Sequence, residues 1–224
     1  TALVSNQTQN SLVAVGDSAL FNTIAGGNTG VGGKVLFTNT TGSNNTAIGS
    51  SVLNKNTNGS FNTAAGGNAL FNNLTGSSNS VLGFNTMLMN TTGSFNIAVG
   101  VAALGLNTTG FSNTAVGANT MNANSAGTGN TATGSSSLSA NSTGNFNTAS
   151  GYFSLYSNTT GHTNAGFGIS SLLENTTGFS NVAIGASALN KNTDRSNLVA
   201  IGDSSLFNNG TGATVSTHAI KNTA

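Results

Sequence analysis

Apolar and polar positions along this chain recur with a fixed period. Glycine stands at Gly16, Gly32, Gly49, Gly66, Gly83, Gly100, Gly117, Gly134, Gly151, Gly168, Gly185 and Gly202, and after a first interval of sixteen residues every interval is seventeen. Four residues after each comes Leu20, Leu36, Leu53, Leu70, Met87, Leu104, Met121, Leu138, Leu155, Leu172, Leu189 or Leu206. No copy is polar there, as a buried ladder requires, because one polar break leaves an unpaired group inside. Two residues before the glycine, from the third copy on, the column is small: Ala47, Ala64, Ala98, Ala115, Ala132, Ala149, Ala183 and Ala200, with Val81 and Gly166 in the remaining copies. Small side chains facing a leucine ladder predict a thin roll whose two sheets lie close together. The period predicts an all-β, parallel β-solenoid of about twelve coils over residues 11–212, with tail or assembly segments at 1–10 and 213–224. A helix is excluded by dense glycine and by the lack of a 3.6-residue apolar stripe.

Two asparagine columns accompany the apolar ones. Seven residues after the glycine stands Asn39, Asn56, Asn73 and their successors to Asn209, expected to tolerate left-handed backbone at a corner. A second glycine column, Gly42 to Gly178, is assigned to the same corner. A further column, Asn28, Asn45, Asn62 and onward to Asn181, opens the first strand; stacked amides that bond from coil to coil predict parallel, in-register stacking.

The residue just before each repeat glycine is the most informative for function. It reads Val15, Val31, Ile48, Leu82, Val99, Val116, Phe167, Ile184 and Ile201, with Ala65, Thr133 and Ser150 between them. Strand alternation puts this column on the face opposite the small one, so it predicts an apolar stripe that a partner chain covers. The competing reading places these residues in the core and the alanines outside.

Charge removes several classes of partner. The chain has five basic and four acidic side chains, and none lies between Lys55 and Glu174. Nucleic acid and anionic membranes need clustered Lys and Arg, so neither is expected as a partner. No apolar run approaches the roughly 20 residues of a membrane helix, and no membrane insertion is expected. Cysteine and proline are absent, which excludes disulfides, thiolate metal sites and a cysteine nucleophile. A chain opening on Thr1 fits a processed secreted product or an excised fragment.

Candidate chemistry is sparse. His162 falls in a turn position taken elsewhere by Ser or Phe, and His218 sits in a tail segment, 214–220, with strand character. Glu174 and Asp194 are too isolated to form a paired-carboxylate site, and Asp194 with Arg195 reads as a local surface ion pair. No phosphate loop or calcium repeat occurs, so no catalytic residue, metal or cofactor is expected. Phe61, Phe95, Phe111, Phe146 and Phe179 project from turns, where packing over the corner or onto a neighbouring chain is favoured over ligand binding. Asp17 and Asp203 mark matched first and last coils, as capping residues or as an end-to-end junction between chains.

With these columns in hand, Asn-Val-Ala-Ile-Gly at 181–185 and Leu-Val-Ala-Ile-Gly at 198–202 resemble the head repeats of trimeric autotransporter adhesins, and Asn-Thr-Thr-Gly turns resemble those of bacterial and phage surface-fibre proteins. The resemblance implies a left-handed roll, three chains about an axis, and adhesive or structural duty on a cell or virion surface. The repeat here is longer and more regular than in those heads, which sets a self-assembling filament beside the trimer. The expected function is therefore non-enzymatic: an extracellular structural protein, secreted or at the cell surface, that forms a homo-oligomeric fibre with an adhesive use toward a cell-surface or matrix ligand. The alternatives are a receptor-binding or shaft segment of a trimeric adhesin or phage fibre, and an ice-binding protein. The last rests on Thr29, Thr46, Thr63, Thr114, Thr131 and Thr148 in one column, interrupted by Ile97, Ala165 and Val182.

Overall fold

The computed structural model describes residues 11–209; the tail segments at 1–10 and 213–224, including His218 and the strand expected at 214–220, lie outside the described residues. The chain divides into two compact units after Ser112. Each is a parallel β-solenoid with one three-residue strand per coil. In the first unit these are β1 (Val13–Val15), β2 (Thr29–Val31), β3 (Thr46–Ile48), β4 (Thr63–Ala65), β5 (Ser80–Leu82) and β6 (Ile97–Val99). In the second they are β7 (Thr114–Val116), β8 (Thr131–Thr133), β9 (Thr148–Ser150), β10 (Ala165–Phe167), β11 (Val182–Ile184) and β12 (Val199–Ile201). Like residues pair with like: Thr46 and Ala47 lie beside Thr63 and Ala64, and Ala183 and Ile184 beside Ala200 and Ile201.

Within each strand the middle residue faces in and its neighbours face out, as a pleat requires. Ala47, Ala98, Ala115 and Ala183 are fully buried between exposed or half-buried flanks. The small column is therefore core, and the column before the glycine is surface.

The expected second sheet is not found among the described residues; the opposite wall is a stack of turns. Its cause is visible at the leucine column. Leu53 has φ 49° and Met121 φ 47°, and the residues two before them, Ser51 and Asn119, have φ 57° and 55°. A strand sends consecutive side chains to opposite faces. Here Ala69 and Leu70, Ala103 and Leu104, and Ser154 and Leu155 are all buried as consecutive pairs, and the left-handed residue is what returns the second side chain to the inner face. Left-handed backbone costs a non-glycine residue about 1–2 kcal/mol, and full burial of the leucine returns about 1.5–3 kcal/mol. The wall is still tied coil to coil: Ser51 N donates to Gly33 O at 2.9 Å, Leu53 N to Ala69 O at 3.0 Å and Lys55 N to Phe71 O at 3.0 Å. Leu20 through Leu189 are fully buried, whereas Leu206, in the last described coil, is half-buried.

The interior asparagines of both columns are buried, and the turn-side column does not form the left-handed corner expected of it. They are hydrogen-bond ladders. Asn79 Nδ2 donates to Asn62 Oδ1 and Gly93 O, both at 3.0 Å, while its Oδ1 accepts from Asn96 N at 3.0 Å and Asn96 Nδ2 at 3.2 Å. In the other column Asn90 Nδ2 donates to Asn73 Oδ1 at 2.7 Å and to the same Gly93 O at 3.0 Å. One glycine carbonyl thus takes an amide from each ladder. The second glycine column follows from this crowding and not from φ, which is not positive there: a Cβ on Gly127 would lie 2.5 Å from Gly144 O and 2.6 Å from Asn141 Nδ2. The repeat glycines need both space and φ, since Gly83 has φ 136° and a Cβ there would lie 2.6 Å from Gly100 O.

The strand-side ladder ends on residues that cannot propagate it. Leu12 and Leu198 occupy the strand-side column in the first and last described coils. Leu198 is fully buried and gives only its backbone N–H to Asn181 Oδ1, at 3.1 Å. In the turn-side column Thr23 is the first member, its hydroxyl 3.4 Å from Asn39 Nδ2.

Two outcomes follow. Asn79→Ala removes four buried hydrogen bonds and leaves Asn96 N without its acceptor; at about 0.5–1.5 kcal/mol per bond it lowers stability by at least about 2 kcal/mol in urea unfolding followed by circular dichroism. Asn58→Ala, at an exposed turn, stays within about 0.5 kcal/mol. In the leucine column, Leu155→Met costs less than about 1.5 kcal/mol. Leu155→Ile, of equal volume, costs more than about 2 kcal/mol, because a β-branched side chain opposes φ 52°; equal thermal shifts for the two would refute the backbone argument.

Candidate functional site

The strands place two outward columns on each unit's sheet. In the first unit the column before the glycine carries Val15, Ile48 and Leu82 as exposed side chains, with Val31 and Val99 half-buried. In the second unit Val116, Phe167, Ile184 and Ile201 are exposed. Leu82 is 54% and Ile201 57% exposed, values that a single chain does not give to ordinary core residues. Where the column turns polar the hydroxyls satisfy one another, Thr133 Oγ1 donating to Ser150 Oγ at 3.1 Å. Half of the outer neighbours two residues earlier are threonine, with Val13 and Ile97 exposed among the others. Each unit thus presents a pleated surface of β-branched and large apolar side chains in parallel register, without a fixed charge on the strands. Such a surface supplies area and shape, not acid, base or metal chemistry.

A second ordered surface runs along the turns eight residues after the glycine. Thr57 Oγ1 donates to Leu74 O at 2.8 Å, Thr91 Oγ1 to Thr108 O at 3.0 Å, and Thr159 Oγ1 to Thr176 O at 3.1 Å. These hydroxyl protons are committed to the neighbouring coil, so the column stiffens the turn rather than offering donors to a ligand.

The remaining candidates stay apart. Asp17 and Asp203 are exposed in the first and last described coils, and Asp194 is exposed in its turn. His162 is exposed and stacks on Phe179, ring centroids 4.9 Å apart at 11°, with no acid positioned to orient it. Glu174 pairs with Lys191 of the next coil. Phe61, Phe95 and Phe146 are more than 60% exposed. Phe146 lies over Gly129, whose added Cβ would meet the ring at 2.7 Å, so the ring covers its corner. Among the described residues no three His, Asp or Glu side chains gather as a metal would need, and no helix is long and apolar enough to cross a membrane.

Two features escaped the sequence reading. The residue three after the glycine, from Ala19 and Val35 through Ser154 and Ala188, is buried throughout the interior coils. The signal was present, since this column is small and uncharged in every copy. Gly166 interrupts the alanine column for a related reason: Ser154 and Ser171 share a 2.8 Å hydrogen bond beneath it, and a Cβ would lie 2.7 Å from Ser154 Oγ.

Against known proteins, no family model, no curated protein and no solved structure matches this chain.

Proposed function

We propose that this chain is a structural protein that associates with copies of itself, through the outer face of its sheet, into an extracellular fibre. The observation that carries the reading is the column of exposed valine, isoleucine, leucine and phenylalanine just before the repeat glycines. Apolar side chains aligned in register on a parallel sheet favour burial against another such surface at about 25 cal/mol per Å² removed from water. A second copy of the same chain offers the matching spacing, because every strand carries the column at the same register. The charge-poor surface supports this, as few desolvated ions oppose contact. The resemblance to surface-fibre repeats supports an extracellular setting and an adhesive or scaffolding duty.

Ice binding is the weaker reading. It needs an unbroken lattice of hydroxyls, and Ile97, Ala165, Val182 and Val199 break the threonine column on the same face. No thermal hysteresis is expected; measurable hysteresis would favour it over the fibre.

The fibre reading is tested by placing charge on the face of both units. Ile48→Lys with Ile184→Lys changes two exposed side chains, 47% and 41% accessible, and leaves circular dichroism and the melting temperature close to the parent. The parent chain forms filaments or discrete trimers in electron micrographs and in sedimentation, and the double variant sediments as a monomer. A parent chain that remains monomeric at high concentration overturns the proposal.

A further inference from the structure

Both tyrosines of the chain, Tyr152 and Tyr156, fall in a single coil of the second unit, and the chain has no tryptophan. Phe153 stands between them. It is the one aromatic residue two places after a repeat glycine, a column otherwise filled by Ser, Asn, Ala and Lys. Its φ is 56°, shared with Ser136 at φ 56° and Ser170 at φ 54° in the adjacent coils, so a bulky ring occupies a conformation that small polar residues accept more readily. The solenoid does not require it.

The three rings gather at the surface. Tyr152 and Phe153 have centroids 4.0 Å apart, and Phe153 and Tyr156 meet edge to face at 5.0 Å and 78°. With Ser157, Leu173 and Glu174 of the present and following coils, Phe153 and Tyr156 line a groove of about 370 Å³. Its floor is held by the coil-to-coil backbone, Ser157 N donating to Leu173 O and Glu174 N to Asn190 O, each at 3.0 Å. The groove is therefore formed before any ligand arrives. Elsewhere aromatics at the Tyr156 column pack without a partner at the Phe153 column: Phe21 and Phe37 stack at 5.2 Å over Ser18 and Lys34 positions.

The geometry points to a neutral saccharide as the occupant of this groove. Ring faces carry negative potential and attract the weakly positive C–H faces of a pyranose. Tyrosine adds a hydroxyl at the rim, Ser157 a second, and Glu174 accepts from sugar hydroxyls. Charge decides between ligand classes. Glu174 is already paired with Lys191, so a cation meets no uncompensated carboxylate and an anion no uncompensated ammonium. A purely apolar ligand would strand both ions against it. A polyhydroxylated ring satisfies the rings and the ion pair together, in a cleft of the usual ligand size.

This inference goes beyond the fibre reading and does not depend on it; the groove belongs to the turn wall, and the fibre contact to the sheet. The two tyrosines, Tyr156 lining the groove and Tyr152 against Phe153, make intrinsic fluorescence a reporter confined to this coil. Maltohexaose, cellohexaose and chitohexaose are titrated into the parent chain and into the Ile48→Lys, Ile184→Lys variant, so that assembly and sugar binding are read separately. The expected result is saturable change in tyrosine emission for at least one of the three, with Kd in the millimolar range or tighter. Phe153→Ser restores the residue found in the neighbouring coils; it keeps the circular dichroism and weakens binding about tenfold, with Glu174→Gln weaker than the parent as well. No saturable binding of any of the three by fluorescence or calorimetry overturns the proposal. Binding unchanged in Phe153→Ser overturns its location, and self-association that is lost in Phe153→Ser without sugar binding assigns the groove to a second copy instead.

Discussion

The buried amide network is the constraint to which the rest of the fold is fitted. Each interior glycine carbonyl of the second column accepts from two asparagines, one from the strand side and one from the turn side, as Gly59 O does from Asn45 Nδ2 and Asn56 Nδ2, both at 2.9 Å. In the strand-side ladder the amide group uses both of its N–H donors and accepts two bonds at its oxygen. Aspartate lacks the donors, serine lacks the second donor, and glutamine is one methylene too long. That arithmetic fixes asparagine at two places per coil and leaves glycine as the residue that fits between them.

Once the amides set the corner, the rest of the coil is a matter of filling a narrow interior. The strand contributes one small side chain per coil and the turn wall contributes two, the second reached only through left-handed backbone. The core is therefore a stripe of leucine and methionine flanked by small residues. Its stability is distributed along the stack, coil against coil, as in other repeat architectures.

The period, the parallel register, the buried leucine column and the outward apolar column were legible in the sequence because each recurs at a fixed offset from a glycine. The nature of the second wall was not. A buried apolar column reads equally well as a strand or as a turn, and the discriminating detail lay in what the column omits: it holds leucine and methionine but no valine or isoleucine, while the strand columns are rich in Val, Ile and Thr. The stacking of the asparagines is legible, but the left-handed backbone at their corner belongs to Asn44, Phe61 and Phe95, two residues after the second glycine. Side-chain hydrogen bonding and left-handed tolerance are both properties of asparagine, and position alone does not separate them. The aromatic groove was hidden for the opposite reason, since it departs from the repeat at Phe153 instead of following it.

The ends of the strand-side ladder have a bearing on how such a chain changes over generations. Interior coils of a unit are interchangeable, because each strand-side asparagine meets identical neighbours above and below; gain or loss of seventeen residues leaves every amide of that ladder satisfied. Gain or loss of a single residue does not. The one shortened interval, from Gly16 to Gly32, falls where Thr23 stands in place of asparagine and Leu12 precedes Asn28, outside the running network. Within each unit, length can drift by whole coils, while the reading frame is policed at every layer of asparagines.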